Sequence, residues 1–363
     1  DKRIATLYNS LDTKWQVIID TDDWNSPILT NTARIPVPAT LNQAIQNCSL
    51  TLNTRMLSGK KIICASNSFK QADMITVIDL ERLQSYQLTI PSSSPLVKIF
   101  AEKPDFDFRL YQLTLSPDER YLAASNYQSV AIWDLNTRNY VGYSHVEPSD
   151  GPIYAISLHP DGKTVLISVK RSMTTTDPDF VTIRNLQNQE LFYLAQSINR
   201  PRYSPNGQFW LGMTNLGLLI FNAKDNTKYK DIPMLHVGTN FLTFHPNSQK
   251  LIVSSPFTNP MQYDLRSPYT ATLLSDRKLQ GRNGQLDDTG RYWIESVPNL
   301  QDFRMRIWDL DKQNLKDKDS ADYTTDALCV YPNMKCGVLN ADSNVFYFSS
   351  KKTLSRYHLP NQT

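Results

Sequence analysis

Short apolar runs separated by turn residues recur along this chain of 363 residues. In Ser116 to Asn139, SPDERYLAASNYQSVAIWDLNTRN, the run YLAAS gives way to the polar NYQS and then to VAIWDL, rich in β-branched and aromatic residues. Upstream, YQLTL is another apolar run, and the intervening SPDER carries the Pro and Asp that favour a reverse turn. The unit reads strand, turn, strand, turn, strand.

That unit repeats. Its turn anchor falls at His159 in SLHPDGKTVLISV, Ser204 in RYSPNGQFWLGM, His245 in TFHPNSQKLIVSS, Asp287 in QLDDTGRYWIES and Tyr331 in CVYPNMKCGVLNA. LTLNTRMLSGKKIICAS repeats it upstream, anchored at Asn53 with a longer turn, so that Ser116 belongs to a set of seven. From Ser116 onward the anchors are 43, 45, 41, 42 and 44 residues apart, whereas the first gap is 63, its excess lying in an expected loop insertion over Glu81 to Arg109. The third strand recurs as ITVIDL (75–80), VAIWDL (130–135), VTIRNL (181–186), GLLIFNA (217–223), MQYDL (261–265) and RIWDL (306–310), each with an Asp or Asn near one place. A period of about 40 residues signals a propeller or a solenoid. A continuous apolar strand is not buried by one hairpin, so the units are expected to stack face to face.

With Trp133-Asp134 and Trp308-Asp309 in the recurring position, the chain resembles the WD40 repeat family over residues 49 to about 350. The resemblance implies an all-β fold: a single closed β-propeller of four-stranded antiparallel blades, spanning 1–363 as one domain. Seven blades are expected, with RIATLY, WQVIID and ARIPVPA in residues 1–48 supplying strands that close the ring. Eight blades are the alternative, because LSRYHL (354–359) is similar to VAIWDL. The family's Gly-His dipeptide is missing. Leu235-His236 and Ser144-His145 are its nearest substitutes, and no blade clearly carries the family's four-residue His, Ser/Thr, Asp, Trp network.

Composition adds bounds. The chain is 40% hydrophobic, 10% aromatic and 20% charged, enough for a sizeable core and unlike a disordered chain. A net charge of +3 gives no strong footprint for nucleic acid, and no run nears the roughly 18 apolar residues of a membrane span. A soluble protein, expected to be cytoplasmic, follows from this reading. The chain begins at Asp1, as a processed or trimmed form or a fragment would, with any targeting signal lying outside it. Cys48, Cys64, Cys329 and Cys336 match no zinc pattern and read as reduced, buried thiols. Bridges across two hairpins, Cys48 to Cys64 and Cys329 to Cys336, are the alternative.

Candidate chemistry is sparse. Acids cluster at Asp20, Asp22 and Asp23, at Asp105 and Asp107, at Asp287-Asp288, and at Asp317, Asp319 and Asp322, but Trp24 and Ala321 occupy positions a calcium loop would need for ligands. They read as turn residues. His145, His159, His236, His245 and His358 form no ligand pair, and His159 and His245 take the turn position held elsewhere by Ser116 and Ser204. No GxSxG, Walker A or GxGxxG motif occurs. FRMR (303–306) lacks the paired arginines and Gly of a phosphoinositide motif. No catalytic, metal or cofactor residue is assigned, and no cofactor is expected.

The resemblance implies a non-catalytic scaffold that binds one or more protein partners, alone or as a subunit of a larger complex, with no nucleic-acid partner and no membrane span expected. The alternative is a propeller enzyme or small-ligand binder of the bacterial lactonase-like kind. Turns between second and third strands emerge on one face of a propeller, and three are long: NSFKQAD (67–73), KRSMTTTDPDF (170–180) and VPNLQDF (297–303). The segment AEKPDFDFR (101–109) is expected to reach the same face. Lys70, Phe106, Arg109, Lys170, Arg171, Phe180, Asp302 and Phe303 are therefore the candidate partner contacts, with the aromatics as anchors.

Overall fold

The structure is a computed structural model. It describes side chains for residues 75–79, 84–102, 112–171, 178–232, 242–253 and 261–266, with a few isolated positions, and elsewhere the backbone of the strands named below. Among the described residues eight antiparallel sheets follow one another along the chain. The first has three strands, β1 (Ala5–Asn9), β2 (Trp15–Asp20) and β3 (Thr32–Pro36), and pairs within itself. The second is β4 (Arg55–Ser58), β5 (Lys61–Ala65), β6 (Ile75–Asp79) and β7 (Gln84–Leu88). The third is β8 (Gln112–Leu115), β9 (Tyr121–Ser125), β10 (Ser129–Asp134) and β11 (Asn139–His145). The fourth is β12 (Ile153–Leu158), β13 (Thr164–Val169), β14 (Phe180–Asn185) and β15 (Glu190–Leu194). The fifth is β16 (Asn199–Tyr203), β17 (Phe209–Met213), β18 (Gly217–Asn222) and β19 (Lys228–Pro233).

The sixth sheet is β20 (Phe241–Phe244), β21 (Lys250–Ser255), β22 (Thr258–Asp264) and β23 (Ala271–Leu273). The seventh is β24 (Asn283–Leu286), β25 (Tyr292–Pro298), β26 (Phe303–Asp309) and β27 (Ser320–Thr325), and the eighth is β28 (Gly337–Asn340), β29 (Val345–Ser349) and β30 (Leu354–His358). Residues 1–20 and 33–233 form one compact unit, holding the first five sheets; residues 21–32 and 234–363 form another, holding the last three.

In the first unit the core lies between successive sheets. Along β10, Ala131 and Trp133 face the second sheet's Ile63, Val77 and Leu88, while Val130 and Ile132 face the fourth sheet's Val165, Ile167 and Val169. Both faces of the strand are buried, which is why VAIWDL is continuously apolar instead of alternating. The same holds one sheet on, where Leu166, Val181 and Ile183 pack with Trp210 and Phe221 of the fifth sheet. Each such Val, Leu or Ile, wholly removed from water, contributes roughly 1.5–3 kcal/mol.

The turn anchors share one geometry. The anchor amide donates to the carbonyl five residues on, at 2.8 Å for Ser116 to Tyr121, 3.0 Å for His159 to Thr164, 2.8 Å for Ser204 to Phe209 and 2.9 Å for His245 to Lys250. Its own carbonyl accepts from Glu119, Gly162, Gly207 or Ser248, each with φ between 56° and 71°. The Asp or Asn of the motif closes the turn: Asp118, Asp161, Asn206 and Asn247 each accept, through Oδ1, the amide two residues ahead. The recurring acid or amide of the third strand works likewise on the next turn. Asp134 takes the amide of Asn136 at 2.8 Å, Asn185 that of Gln187 at 3.0 Å, Asn222 that of Lys224 at 3.1 Å and Asp264 that of Arg266 at 2.9 Å. These are Asx turns, the reason Asp and Asn interchange there.

Two features differ from the sequence reading. The expected insertion over Glu81 to Arg109 contains β7 and a helix, α1 (Pro95–Glu102). Pro95 opens it, Ser94 caps it by accepting the Leu96 amide on its Oγ at 3.3 Å, and Leu96 and Phe100, one turn apart, are buried against the core between the second and third sheets. At the seventh sheet, Pro298 pairs with Phe303, so the hairpin runs further than read and Phe303 is a strand residue. The turns anchored at Asn53, Asp287 and Tyr331, the side chains of all four cysteines, and those of the acidic clusters lie outside the described residues.

Candidate interaction surface

The turns from second to third strands meet one edge of the third, fourth and fifth sheets. In the third, Asn126 Oδ1 accepts the amides of Gln128 (2.9 Å) and Ser129 (2.6 Å), holding Tyr127 at the tip. Tyr127 is 38% exposed, and its carbonyl takes the amide of Ile153 at the start of β12. In the fifth sheet the Thr214 hydroxyl accepts the amides of Leu216 and Gly217, both at 3.2 Å, and leaves Leu216 84% exposed.

The fourth sheet supplies the longest of these turns. Asp179 clamps its base: Oδ1 accepts the Arg171 amide at 2.9 Å, and Oδ2 accepts the Ser197 hydroxyl at 2.9 Å. Lys170 donates its amide to Pro152 O at 3.0 Å, and a Cβ on Gly151 would stand 2.6 Å from Lys170 O, so that approach requires glycine. The Lys170 ammonium lies 5.7 Å from the ring of Tyr154, which is 48% exposed. Arg171 covers the ring of Phe180 at 5.2 Å.

Of the eight candidate contacts, Lys170, Arg171 and Phe180 are brought together. Phe180 is not a surface anchor: it begins β14, is 2% exposed, and packs in the core between the third and fourth sheets with its ring 5.0 Å from that of Tyr193. Lys70, Phe106, Arg109 and Asp302 lie outside the described residues, and Phe303 is described by its backbone only. Among the described residues the exposed aromatics of this edge are Tyr127 and Tyr154, each in a short run that reads from sequence as ordinary strand or turn.

At the opposite edge a groove of about 840 Å³ opens between the fourth and fifth sheets. His159 and Asp161 line one wall, their Nδ1 and Oδ1 2.8 Å apart, and the Tyr203 ring meets the His159 ring edge-on at 4.9 Å. Burial pushes the Tyr203 hydroxyl well above the ordinary phenol value. The lining also includes Leu191, Phe209, Asn222, Lys224, Asn226 and Tyr229.

No family model matches the chain. Solved structures do resemble it. Hydrazine synthase from Kuenenia stuttgartiensis is 13% identical, with a TM-score of 0.54 over 85% of this chain and 96% of that one. The β-propeller domain of Cps50 (Swd1) from Myceliophteria thermophila is 14% identical, with a TM-score of 0.54 and the same coverage of both chains. A chain of the mitotic checkpoint complex is 8% identical, with a TM-score of 0.52 over 86% of this chain and 88% of that one. Such likenesses concern the fold alone, and the fold they share with this chain of four-stranded antiparallel sheets is that of a β-propeller.

Proposed function

We propose that the chain is a WD40-type propeller acting as a non-catalytic scaffold, with the edge that carries Tyr127, Tyr154, Lys170 and Leu216 presented to a protein partner. The observation behind this reading is that large apolar groups stand exposed there on held backbone, Tyr127 and Leu216 on turns locked by their own hydrogen bonds and Tyr154 in β12, so ordering them on binding takes little entropy. The likeness to chains such as the Swd1 domain and a member of the mitotic checkpoint complex supports it by analogy of fold. A single closed ring over 1–363 belongs to the same reading: seven recurring turn anchors support seven blades, and the eight described sheets favour the alternative of eight.

The test is partner capture from the source cell with the wild type and with Tyr154→Ala/Leu216→Asp, both checked for folding by circular dichroism. Loss of one or more specific partners in the double variant is expected. Equal capture by both, or loss only when Leu191 and Tyr229 of the opposite edge are replaced, would overturn it.

A further inference from the structure

The groove between the fourth and fifth sheets has an unequal balance of donors and acceptors. Asn226 turns its Oδ1 to the indole Nε1 of the buried Trp210 at 3.0 Å, and Asn222 turns its Oδ1 to the Lys224 amide at 3.1 Å. Both acceptors are consumed inside the protein. What remains on that wall are donors: among the described residues no hydrogen bond is made by Nδ2 of Asn222, Nδ2 of Asn226 or Nζ of Lys224. The neighbouring Asp225 makes no hydrogen bond to them: its Oδ1 accepts the Thr227 amide at 3.0 Å and the Thr227 hydroxyl at 2.7 Å, and its charge acts on Lys224 only through space. The carboxylate of the facing wall, Asp161, accepts the Lys163 amide at 2.8 Å, and the Asp161 amide donates to His159 Nδ1 at 3.3 Å.

Beside the donors lies apolar surface. Leu191 is 50% and Tyr229 40% exposed, and the Phe209 ring lies against that of Tyr229, tilted by 47° with centroids 5.0 Å apart. A volume of about 840 Å³ is within the range of sites that enclose a small molecule or a few peptide side chains. A donor-rich wall with one ammonium, next to an aromatic and aliphatic floor, complements an apolar body that ends in a carboxylate.

We propose that this groove binds an amphipathic carboxylate, its oxygens at Lys224, Asn222 and Asn226 and its apolar part against Leu191, Phe209 and Tyr229. The site is separate from the edge assigned to the protein partner and does not depend on it. Two sources of the chemistry exist, a free aryl or alkyl acid and an acidic side chain next to an apolar one in a peptide.

Trp210 is a built-in reporter, since its indole N–H is bonded to Asn226. The experiment follows the indole N–H resonances of the whole chain by NMR, assigned with Trp210→Phe, during titration with 4-phenylbutyrate, with the neutral 4-phenylbutyramide, and with the blocked peptide acetyl-Phe-Glu-amide. A saturable shift of the Trp210 signal is expected with the butyrate or the peptide, whichever binds more tightly naming the source. Affinity should fall at least fivefold in Lys224→Ala, an exposed turn position, and in Tyr229→Ala. No saturable shift with either acid, an equal affinity for the amide, or unchanged affinity in Lys224→Ala would overturn the proposal.

Discussion

His159 Nε2 lies 3.2 Å from Gly207 O, joining the turn anchor of the fourth sheet to the turn of the fifth. Gly207 has φ +71°, and a Cβ there would stand 2.5 Å from the same imidazole nitrogen. The relation recurs: a Cβ on Gly162 would meet the Tyr121 ring at 2.5 Å, and one on Gly290 would meet His245 at 2.2 Å. The glycine after each SPN, HPD or DDT triplet thus serves two ends, a left-handed turn and room for a ring of the preceding sheet, His159, His245 or Tyr121.

Gly207→Ala should therefore destabilise the protein by about 1–3 kcal/mol, the range for a strained backbone position. Part of that is steric and belongs to His159. In a double-mutant cycle read by urea unfolding, His159→Ala with Gly207→Ala should cost less than the sum of the two single changes. Strict additivity would mean that only the backbone angle matters.

A second expectation concerns alkaline pH. Tyr140 has its phenol pushed up to about 12, first by burial, against the opposing hydrogen bond with Ser94, whose Oγ is 2.9 Å from the Tyr140 hydroxyl. The folded state holds this proton more tightly than the unfolded chain, where a phenol titrates near 10. The resulting stability is complete below about pH 10 and is lost as pH rises through about 12. Ultraviolet titration of phenolate should show one late-ionising tyrosine fewer in Tyr140→Phe. An unchanged late phase would assign it elsewhere.

Acid exposes the Asx turns. Burial raises the Asp134 carboxyl, but the Arg120 guanidinium at 2.9 Å and the amides of Asn136 and Thr137 outweigh it, leaving it below the usual carboxylate value. At the same place in the sixth sheet, Asp264 is drawn down to about 2, first by its hydrogen bond from Arg266, with the Arg266 amide assisting. Both groups contribute stability that is present above the unfolded value near 4 and lost as pH falls, through about 2 for Asp264. Asp134→Asn and Asp264→Asn should each flatten the acid limb of the stability curve. Added salt should blunt the effect at the exposed Arg266 pair more than at Asp134, which is 6% exposed.

The repeat was legible because its signals are local. Turn chemistry in SPDE, HPDG, SPNG and HPNS fixes a spacing, and Trp133, Tyr263 and Trp308 do share one register, opposite Leu122, Leu251 and Trp293, six residues after their anchors. Arg184 and Phe221 occupy that register in the fourth and fifth sheets, opposite Val165 and Trp210. The α1 helix was missed because eight residues with two buried positions give too short a period to stand out from a loop. Phe180 was misread because Pro178-Asp179 looks like loop up to the aromatic, whereas Asp179 ends the loop and Phe180 starts the strand. The groove joins residues 159–164 to 222–229, and no local pattern reports that meeting.

The last prediction separates a core aromatic from a surface one. Phe180 and Tyr154 belong to the same sheet near the same edge, yet one is 2% and the other 48% exposed. Phe180→Ala should cost about 3–5 kcal/mol by leaving a cavity between the third and fourth sheets, and any loss of partner capture should track the unfolded fraction. Tyr154→Ala removes a half-exposed ring and the cation–π contact with Lys170, worth about 0.5–1 kcal/mol at such a site, so the fold should survive nearly unchanged. Partner capture should nonetheless drop in Tyr154→Ala. Thermal melts run beside capture assays read both quantities. Weak capture without loss of stability in Phe180→Ala, or full capture in Tyr154→Ala, would contradict this division between the two rings.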